Sequence, residues 1–315
     1  MQFQNPKSKI LIAGVSGFIG TFLYDKFKSK YSLTGLDYSE ESNLENYYST
    51  DLTDISNVQA FVEDSPHFDA LIFLVGLAHK KGKGKDLPEF KEVNYQTLIN
   101  LLSAFEDNNK VPDKIIFAST ISVYGEKYHQ CIYGEDSDQK PFSPYALTKL
   151  EAEQYLLKNF ENKSWILRFA PVYSSDFLLN INRRTKAGGL FYRVGKGNKT
   201  LSLCNIKNIK TAVDGIIQGK VPPGVYNSSD PKEYTYNDLL TWSNAIRVIR
   251  IPQFAVKMLY HMGKLFNNTF LKENTVKLIT DNVFPSDKIR KYISLSGDLN
   301  TSSTNKNQQD EQKHL

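Results

Sequence analysis

Three glycines spaced by two residues, Gly14-Val-Ser-Gly17-Phe-Ile-Gly20, follow the apolar run Ile10–Ala13 and precede Phe22, Leu23 and Phe27, which with Phe18 and Ile19 recur at helical spacing. An apolar run without polar alternation suits a strand covered on both faces of a parallel sheet. In a strand–turn–helix setting one glycine permits positive φ and the next lets the backbone approach a pyrophosphate. The third lets helix pack on strand. The helix start presents N–H groups to the phosphates. Gly14, Gly17, Phe18, Ile19 and Gly20 are therefore candidates for holding a dinucleotide. Asp37, at the end of the second apolar run, can accept hydrogen bonds from both adenosine ribose hydroxyls and would repel a 2′-phosphate, which favours NAD over NADP. Asp51 and Leu52 are candidates for flanking the adenine, although a solvent turn explains Asp51 almost as well.

The rhythm continues along the chain. Strand-like Ser32–Leu36, Ala70–Val75, Lys114–Ala118 and Trp165–Phe169 alternate with helical Ile55–Val62, Phe90–Phe105 and Tyr145–Phe160. Alternation of this kind means βαβ units, hence an α/β fold: a Rossmann-type doubly wound parallel sheet. Beyond Pro171 the alternation stops, and Val213–Gln218 and Gly224–Asn227 read as a last helix and strand. Residues 1–171 and 206–228 are expected to form the nucleotide-binding domain, and 172–205 with 229–299 a smaller C-terminal substrate domain. Residues 300–315 are polar and expected to be a disordered tail.

Bulk properties exclude several classes. The net charge of +5 over 315 residues is modest, and the dense basic cluster Lys80, Lys81, Lys83 and Lys85 alternates with glycines as a solvated loop would. No nucleic-acid partner is expected. Cys131 and Cys204 lie far apart and the five histidines make no H-x-x-x-H pattern, so no metal site is expected. The polar amino terminus leaves no room for a signal peptide. Ile251–Phe266, the most apolar late segment, is interrupted by Lys257, His261 and Lys264 and is shorter than a span of about 20 residues. A cytoplasmic protein without a membrane span is the expectation.

Chemistry concentrates at Tyr145-Ala-Leu-Thr-Lys149, which follows Ser143-Pro144 at a helix start. Positions i and i+4 share a helical face, so phenol and ammonium point the same way. A phenol of pKa about 10 is a poor base at neutral pH. A neighbouring Lys149 charge, with an oxidised nicotinamide, would stabilise its phenolate. Lys149 can also bind the nicotinamide ribose. Upstream, Ser119-Thr120-Ile121-Ser122-Val123-Tyr124-Gly125 leaves a strand at its carboxyl end, where a substrate beside a bound dinucleotide belongs.

Gly14–Gly20, Ser119–Gly125 and Tyr145–Lys149, with Leu167-Arg168 and Gly224-Val225-Tyr226-Asn227, resemble the extended short-chain dehydrogenase/reductases, specifically the NAD-dependent nucleotide-sugar epimerase/dehydratase family. The resemblance spans about residues 9–295. It implies Thr120 as the hydroxyl beside the reacting oxygen, with Ser119 its nearest substitute. It also implies Tyr145 as the proton-transferring group and Lys149 as a ribose ligand. Further implications are NAD as cofactor, a nucleotide-sugar substrate and a homodimer through the Leu87–Phe105 and Tyr145–Phe160 helices. Asn180 and Arg183 are candidate substrate-binding residues after Val172-Tyr173. His79 reads as a loop-rim histidine and Asn94 as a structural one, while Tyr124 and Gly125 shape the pocket floor.

Three departures narrow the chemistry. Ile121-Ser122 stands where the family's dehydratases carry Asp-Glu, which disfavours dehydration. Pro171 stands where many 4-epimerases carry Asn. That L-R-x-x-P-V-Y form, with Leu87–Asn94, resembles the branch holding 4-ketoreductases and epimerases of amino-sugar nucleotides. No arginine occupies Thr200–Leu203, where a diphosphate ligand is often placed; Arg193, Lys196 or Lys199 are the substitutes. The expected activity is 4-epimerisation of a UDP-hexose or UDP-N-acetylhexosamine by transient oxidation at sugar carbon 4, an activity associated with surface polysaccharide precursors. A 4-keto-sugar-nucleotide reductase is the alternative, and a non-catalytic dinucleotide sensor a more remote one.

Overall fold

The computed structural model describes residues 7–40, 42–77, 87–125, 127–128, 130–266 and 268–302. His79, the Lys80–Lys85 cluster and the tail beyond 302 lie outside the described residues.

Seven parallel strands form the central sheet: β1 (Lys9–Ala13), β2 (Ser32–Asp37), β3 (Tyr47–Ser49), β4 (Ala70–Phe73), β5 (Lys114–Thr120), β6 (Ser164–Phe169) and β7 (Gly224–Ser228). Their order is β7-β6-β5-β4-β1-β2-β3. The helices are α1 (Phe18–Phe27), α2 (Ile55–Asp64), α3 (Thr97–Asp107), α4 (Pro144–Asn159) and α5 (Ile206–Ile217). β1 has β2 on one side and β4 on the other, so the winding reverses there. In open α/β sheets that point carries the ligand crevice. Register keeps the carboxyl ends level: Ala13 lies opposite Leu36 and Phe73, and Phe73 opposite Phe117. Gly14, Asp37, Val75 and Thr120 therefore emerge along one edge.

Helix starts are chemically marked. Ser143 accepts from the Ala146 N–H and Pro144 fills the first turn of α4, where a missing donor costs nothing. Asp54 caps α2 through Ser56 and Asn57. One side of the sheet buries Leu71, Phe73 and Phe117 with Leu98, Leu101 and Phe105 of α3, and Phe73 stacks on Phe117 at 6.1 Å.

Two compact units divide the described residues. Those up to Val123, with Ser143–Leu167 and Val213–Val225, form the first, and Tyr124–Phe142, Arg168–Ala212 and those from Tyr226 form the second. The second is richer in secondary structure than its irregular sequence suggests. Val248–Ile251 pairs in parallel with Leu190–Val194 to make a strand that periodicity did not reveal. Two further helices follow, α6 (Gln253–Leu265) and α7 (Thr269–Ile279). Residues 300–302, the start of the expected tail, complete a helical turn in which Ser302 is buried and its hydroxyl accepts from Asn205 Nδ2 at 2.8 Å.

The polar hub of this unit is buried Asp230, which accepts from Tyr173 Oη (2.7 Å), Tyr234 Oη (2.9 Å), Asn205 N (2.6 Å) and Asn208 Nδ2 (2.8 Å). Desolvation outweighs these bonds and pushes its pKa up to about 6. A raised folded-state pKa contributes stability that is full below the unfolded value of about 4 and is lost as pH rises through about 6. Relative to Asp230→Asn, the wild type is expected to lose roughly 3 kcal/mol over that window. Urea unfolding of both proteins from about pH 4 to pH 7 reads the difference, and parallel stability curves would contradict it.

Candidate functional site

Every sequence candidate for the dinucleotide lies in the first unit. Gly14 sits at φ +83°, and a Cβ there would come within 2.9 Å of the Val75 nitrogen. A Cβ on Gly20 would meet Gly14 O at 2.4 Å, so helix and strand approach as closely as backbones can. The start of α1 has no side-chain cap, and its first turn, containing Phe18, Ile19 and Gly20, begins at Gly17 in extended conformation. A turn with glycines at its two close backbone approaches, leading into an uncapped helix start, fits a pyrophosphate. Asp37 ends β2 with each oxygen accepting one backbone N–H, Oδ2 from Ser16 and Oδ1 from Tyr38, both at 2.9 Å. These bonds aim the carboxylate and leave it lone pairs for a ribose diol.

Asp51 and Leu52 follow β3. Asp51 Oδ1 accepts from Thr53 N (2.9 Å) and Thr53 Oγ1 (2.7 Å), a self-contained turn. The Leu52 side chain is buried in the sheet core, and its carbonyl accepts from Asn100 Nδ2.

Thr120, Tyr145 and Lys149 come together. Thr120 hydrogen-bonds the Tyr145 phenol, which burial nonetheless pushes up to about 12. Its neighbour Ser119 donates to the buried Glu153 carboxylate, so Ser119 is engaged elsewhere and Thr120 faces the tyrosine. Lys149 is buried, donates to Val75 O at 3.1 Å and lies 4.6 Å from the centre of the Phe117 ring. Desolvation pulls its pKa down to about 7 against the opposing field of Glu153. Burial thus penalises both charged forms, and the expected lowering of the tyrosine pKa calls on an oxidised nicotinamide as well as on Lys149.

Asn94 is the hydrogen-bonding structural residue expected from the sequence, but the turn that carries it was missed. The long helix predicted over Phe90–Phe105 is interrupted by a π-helical turn, Glu92–Gln96, that carries buried Asn94. Asn94 Oδ1 accepts from Leu77 N (2.6 Å) and its Nδ2 donates to Thr148 Oγ1 (3.2 Å), which ties the β4 exit to α4. Between them a Cβ on Gly76 would lie 3.2 Å from Lys149 Nζ. The sequence carried one signal for this, a polar Asn within an apolar helical pattern.

Asn180 and Arg183 belong to the second unit, on the short helix Leu179–Thr185. Asn180 Nδ2 donates to Val172 O at 2.8 Å, a structural bond, while Arg183 is exposed. Of the substitute diphosphate ligands, Lys199 pairs with Asp281 at 3.0 Å and Arg193 donates to Asn237 at 3.2 Å. Tyr124 belongs to a buried network. Arg168 Nη1 donates to its hydroxyl (2.9 Å), which in turn donates to Asn227 Oδ1 (2.7 Å).

A level carboxyl edge carrying a glycine cradle, an acidic strand end and a Thr–Tyr–Lys cluster is a family architecture, and the family model for NAD dependent epimerase/dehydratase proteins matches residues 10–228. The chain belongs to the NAD dependent epimerase/dehydratase family. It is an enzyme of that family and its cofactor is NAD. It is similar to the N-acetyl-alpha-D-glucosaminyl-diphospho-ditrans,octacis-undecaprenol 4-epimerase of Escherichia coli O157:H7, with 28% identity over 268 residues, 81% of this chain and 77% of that one. Among solved structures it shares its fold with the UDP-glucuronic acid 4-epimerase of Bacillus cereus in complex with NAD (TM-score 0.68, 22% identity, 93% and 95% of the two chains). It also shares it with the UDP-Glc/GlcNAc 4-epimerase of Campylobacter jejuni (TM-score 0.71, 20% identity, 93% and 96%).

The cradle and Asp37 are the parts of this site that NAD binding tests directly. Asp37→Asn removes a charged acceptor worth roughly 1.5–3 kcal/mol, so NAD affinity should fall about ten- to hundredfold and the preference over NADP should shrink. Calorimetric titration of both dinucleotides checks this. An unchanged NAD affinity would separate Asp37 from the ribose.

Proposed function

We propose that this protein is an NAD-dependent 4-epimerase of a nucleotide sugar, a UDP-hexose or UDP-N-acetylhexosamine, acting by transient oxidation at sugar carbon 4. The observation that carries the reading is the Thr120–Tyr145 hydrogen bond one helical turn from buried Lys149. Gly14–Gly20, Asp37 and Lys149 would hold the cofactor. When bound, NAD supplies the hydride acceptor and, oxidised, a positive charge that opposes the burial penalty on a Tyr145 phenolate. Tyr145 takes the proton of the C4 hydroxyl and later returns it. Thr120 holds the reacting oxygen and shares that proton. Lys149, whose charged form burial disfavours and Glu153 supports, would meet the nicotinamide ribose one helical turn from the phenol. Asn180 and Arg183 are the proposed contacts to the substrate beyond the sugar, and a homodimer through the two long helices belongs to the same reading.

A second substrate is favoured by one observation: the similar Escherichia coli enzyme is named for a sugar joined through diphosphate to undecaprenol, so a sugar carried on a polyprenyl diphosphate is the alternative.

Purified protein, denatured and assayed for released dinucleotide and then given UDP-N-acetylglucosamine or its polyprenyl-diphosphate counterpart, distinguishes these readings. Interconversion of C4 epimers without added cofactor supports the epimerase, and the productive carrier names the substrate. Consumption of added NADH with a keto-sugar, and no epimerisation, would assign a reductase instead. In the productive assay Tyr145→Phe is expected to lower turnover by roughly 10²–10⁴-fold with NAD binding retained. Turnover within a few-fold of wild type would remove Tyr145 from the chemistry.

A further inference from the structure

Helix α6 presents three different faces. Val256 packs with Val194 and Ile279, half-buried Tyr260 stacks on Tyr128 at 5.4 Å, and Gly263 lets the α7 backbone approach, since a Cβ there would lie 3.1 Å from Lys272 N. This face attaches the helix to its unit. A second face carries Phe254, Met258, Met262 and Leu265, spaced i, i+4, i+8 and i+11, and it points into solvent: Phe254 is 72% exposed, Met258 57% and Leu265 80%. Phe266 extends it at 71%. A third, exposed edge bears Lys257, His261 and Lys264. An amphipathic helix on a globular protein turns its apolar stripe inward. Here the attached face is narrow and the larger apolar stripe points out.

The strand before α6 repeats the theme. Ile246 is 95% exposed beside exposed Arg247, Ile249 and Arg250. An open hollow lined by Lys196, Asn198, Arg250 and Gln253 adjoins the start of the helix. From Ile246 to Phe266 there is no Asp or Glu, and Arg247, Arg250, Lys257 and Lys264 give this segment a charge of +4 in a chain of net +5. Contiguous exposed apolar surface marks an interaction site, and the charge says with what. Two copies meeting through this face would set like charges against each other. The carboxyl-terminal residues beyond 302 are polar, with Leu315 their sole large apolar side chain, and cannot supply an apolar cover. No helix among the described residues is long and apolar enough to cross a membrane. An apolar stripe with a lysine edge suits a helix lying in the plane of a bilayer surface, its lysines reaching back to lipid phosphates.

We propose that α6, with the strand Val248–Ile251, is a peripheral docking surface for an anionic phospholipid bilayer. Docking would bring the enzyme to the surface from which a lipid-linked sugar is drawn, but it rests on the faces of α6 and not on the identity of the sugar. The test is co-sedimentation of the full chain with vesicles of phosphatidylcholine alone or with a quarter phosphatidylglycerol. The variants are Phe254→Ser/Leu265→Ser and Lys257→Glu/Lys264→Glu, which leave the cofactor cradle and the Thr120–Tyr145–Lys149 cluster untouched. Circular dichroism and urea unfolding, which read both units, certify that each is folded. Expected are binding to anionic vesicles at least tenfold tighter than to neutral ones, and at least tenfold weaker binding for both variants. Loss of wild-type binding in high salt should accompany them. No sedimentation of the wild type, or sedimentation that neither variant weakens, overturns the proposal. So does light scattering in which the Phe254/Leu265 variant falls from dimer to monomer, which would assign the face to a second copy. No turnover is needed, so the outcome is independent of which sugar the enzyme accepts.

Discussion

Burial of the Lys149 ammonium is the constraint around which the first unit is arranged. Taking an ammonium out of water is expensive unless hydrogen bonds and opposite charge repay it. The repayment comes from separate parts of the chain: the Val75 carbonyl, the Phe117 ring face and the field of Glu153 one turn along α4. Those groups meet only if β4 and β5 end at the same level, which the parallel register ensures, and α4 starts beside them. They also require residue 76 to lack a side chain and Asn94 to leave helical register in a π turn, a device that recurs at functional positions. The site is thus organised by the sheet before any ligand arrives, and the remaining electrostatic work is to charge a phenol that burial keeps neutral.

What was legible in the sequence follows from which interactions are local. The glycine spacing, the Tyr145–Lys149 pair and the alternation of strands and helices are short-range signals, and the strands β1, β2, β4, β5 and β6 lie where the apolar runs put them. Thr120 came from the family resemblance, since the strand end by itself offered Ser119 and Thr120 alike. The π turn, Gly76 and the role of Glu153 were not legible, since each exists only through contacts between elements distant in sequence. The local bonds of Asp51 and Leu52, a turn through one carboxylate oxygen and a side chain in the core, likewise appear only with packing. In the second unit the strand Val248–Ile251 is stabilised by pairing with Leu190–Val194, so no periodicity of its own announced it.

The two units differ in how their sequences answer to burial. In the first, the apolar side chains of the sheet and of α3 form one covered core, and the buried polar groups Asn94, Lys149 and Glu153 are engaged around the site. In the second, a buried carboxylate at Asp230 is held by four donors, yet α6 leaves Phe254 and Leu265 in solvent. A chain that can satisfy Asp230 so completely has the means to cover a helix. The uncovered stripe is therefore a local violation of apolar burial in an otherwise consistent fold, and such violations collect where function imposes its own demand. The charge pattern makes that demand specific. Ile246–Phe266 carries no Asp or Glu, so the charges of the stripe's own segment are cations alone. A surface selected only for solubility would mix both signs, whereas one that meets lipid phosphates has reason to keep a single sign.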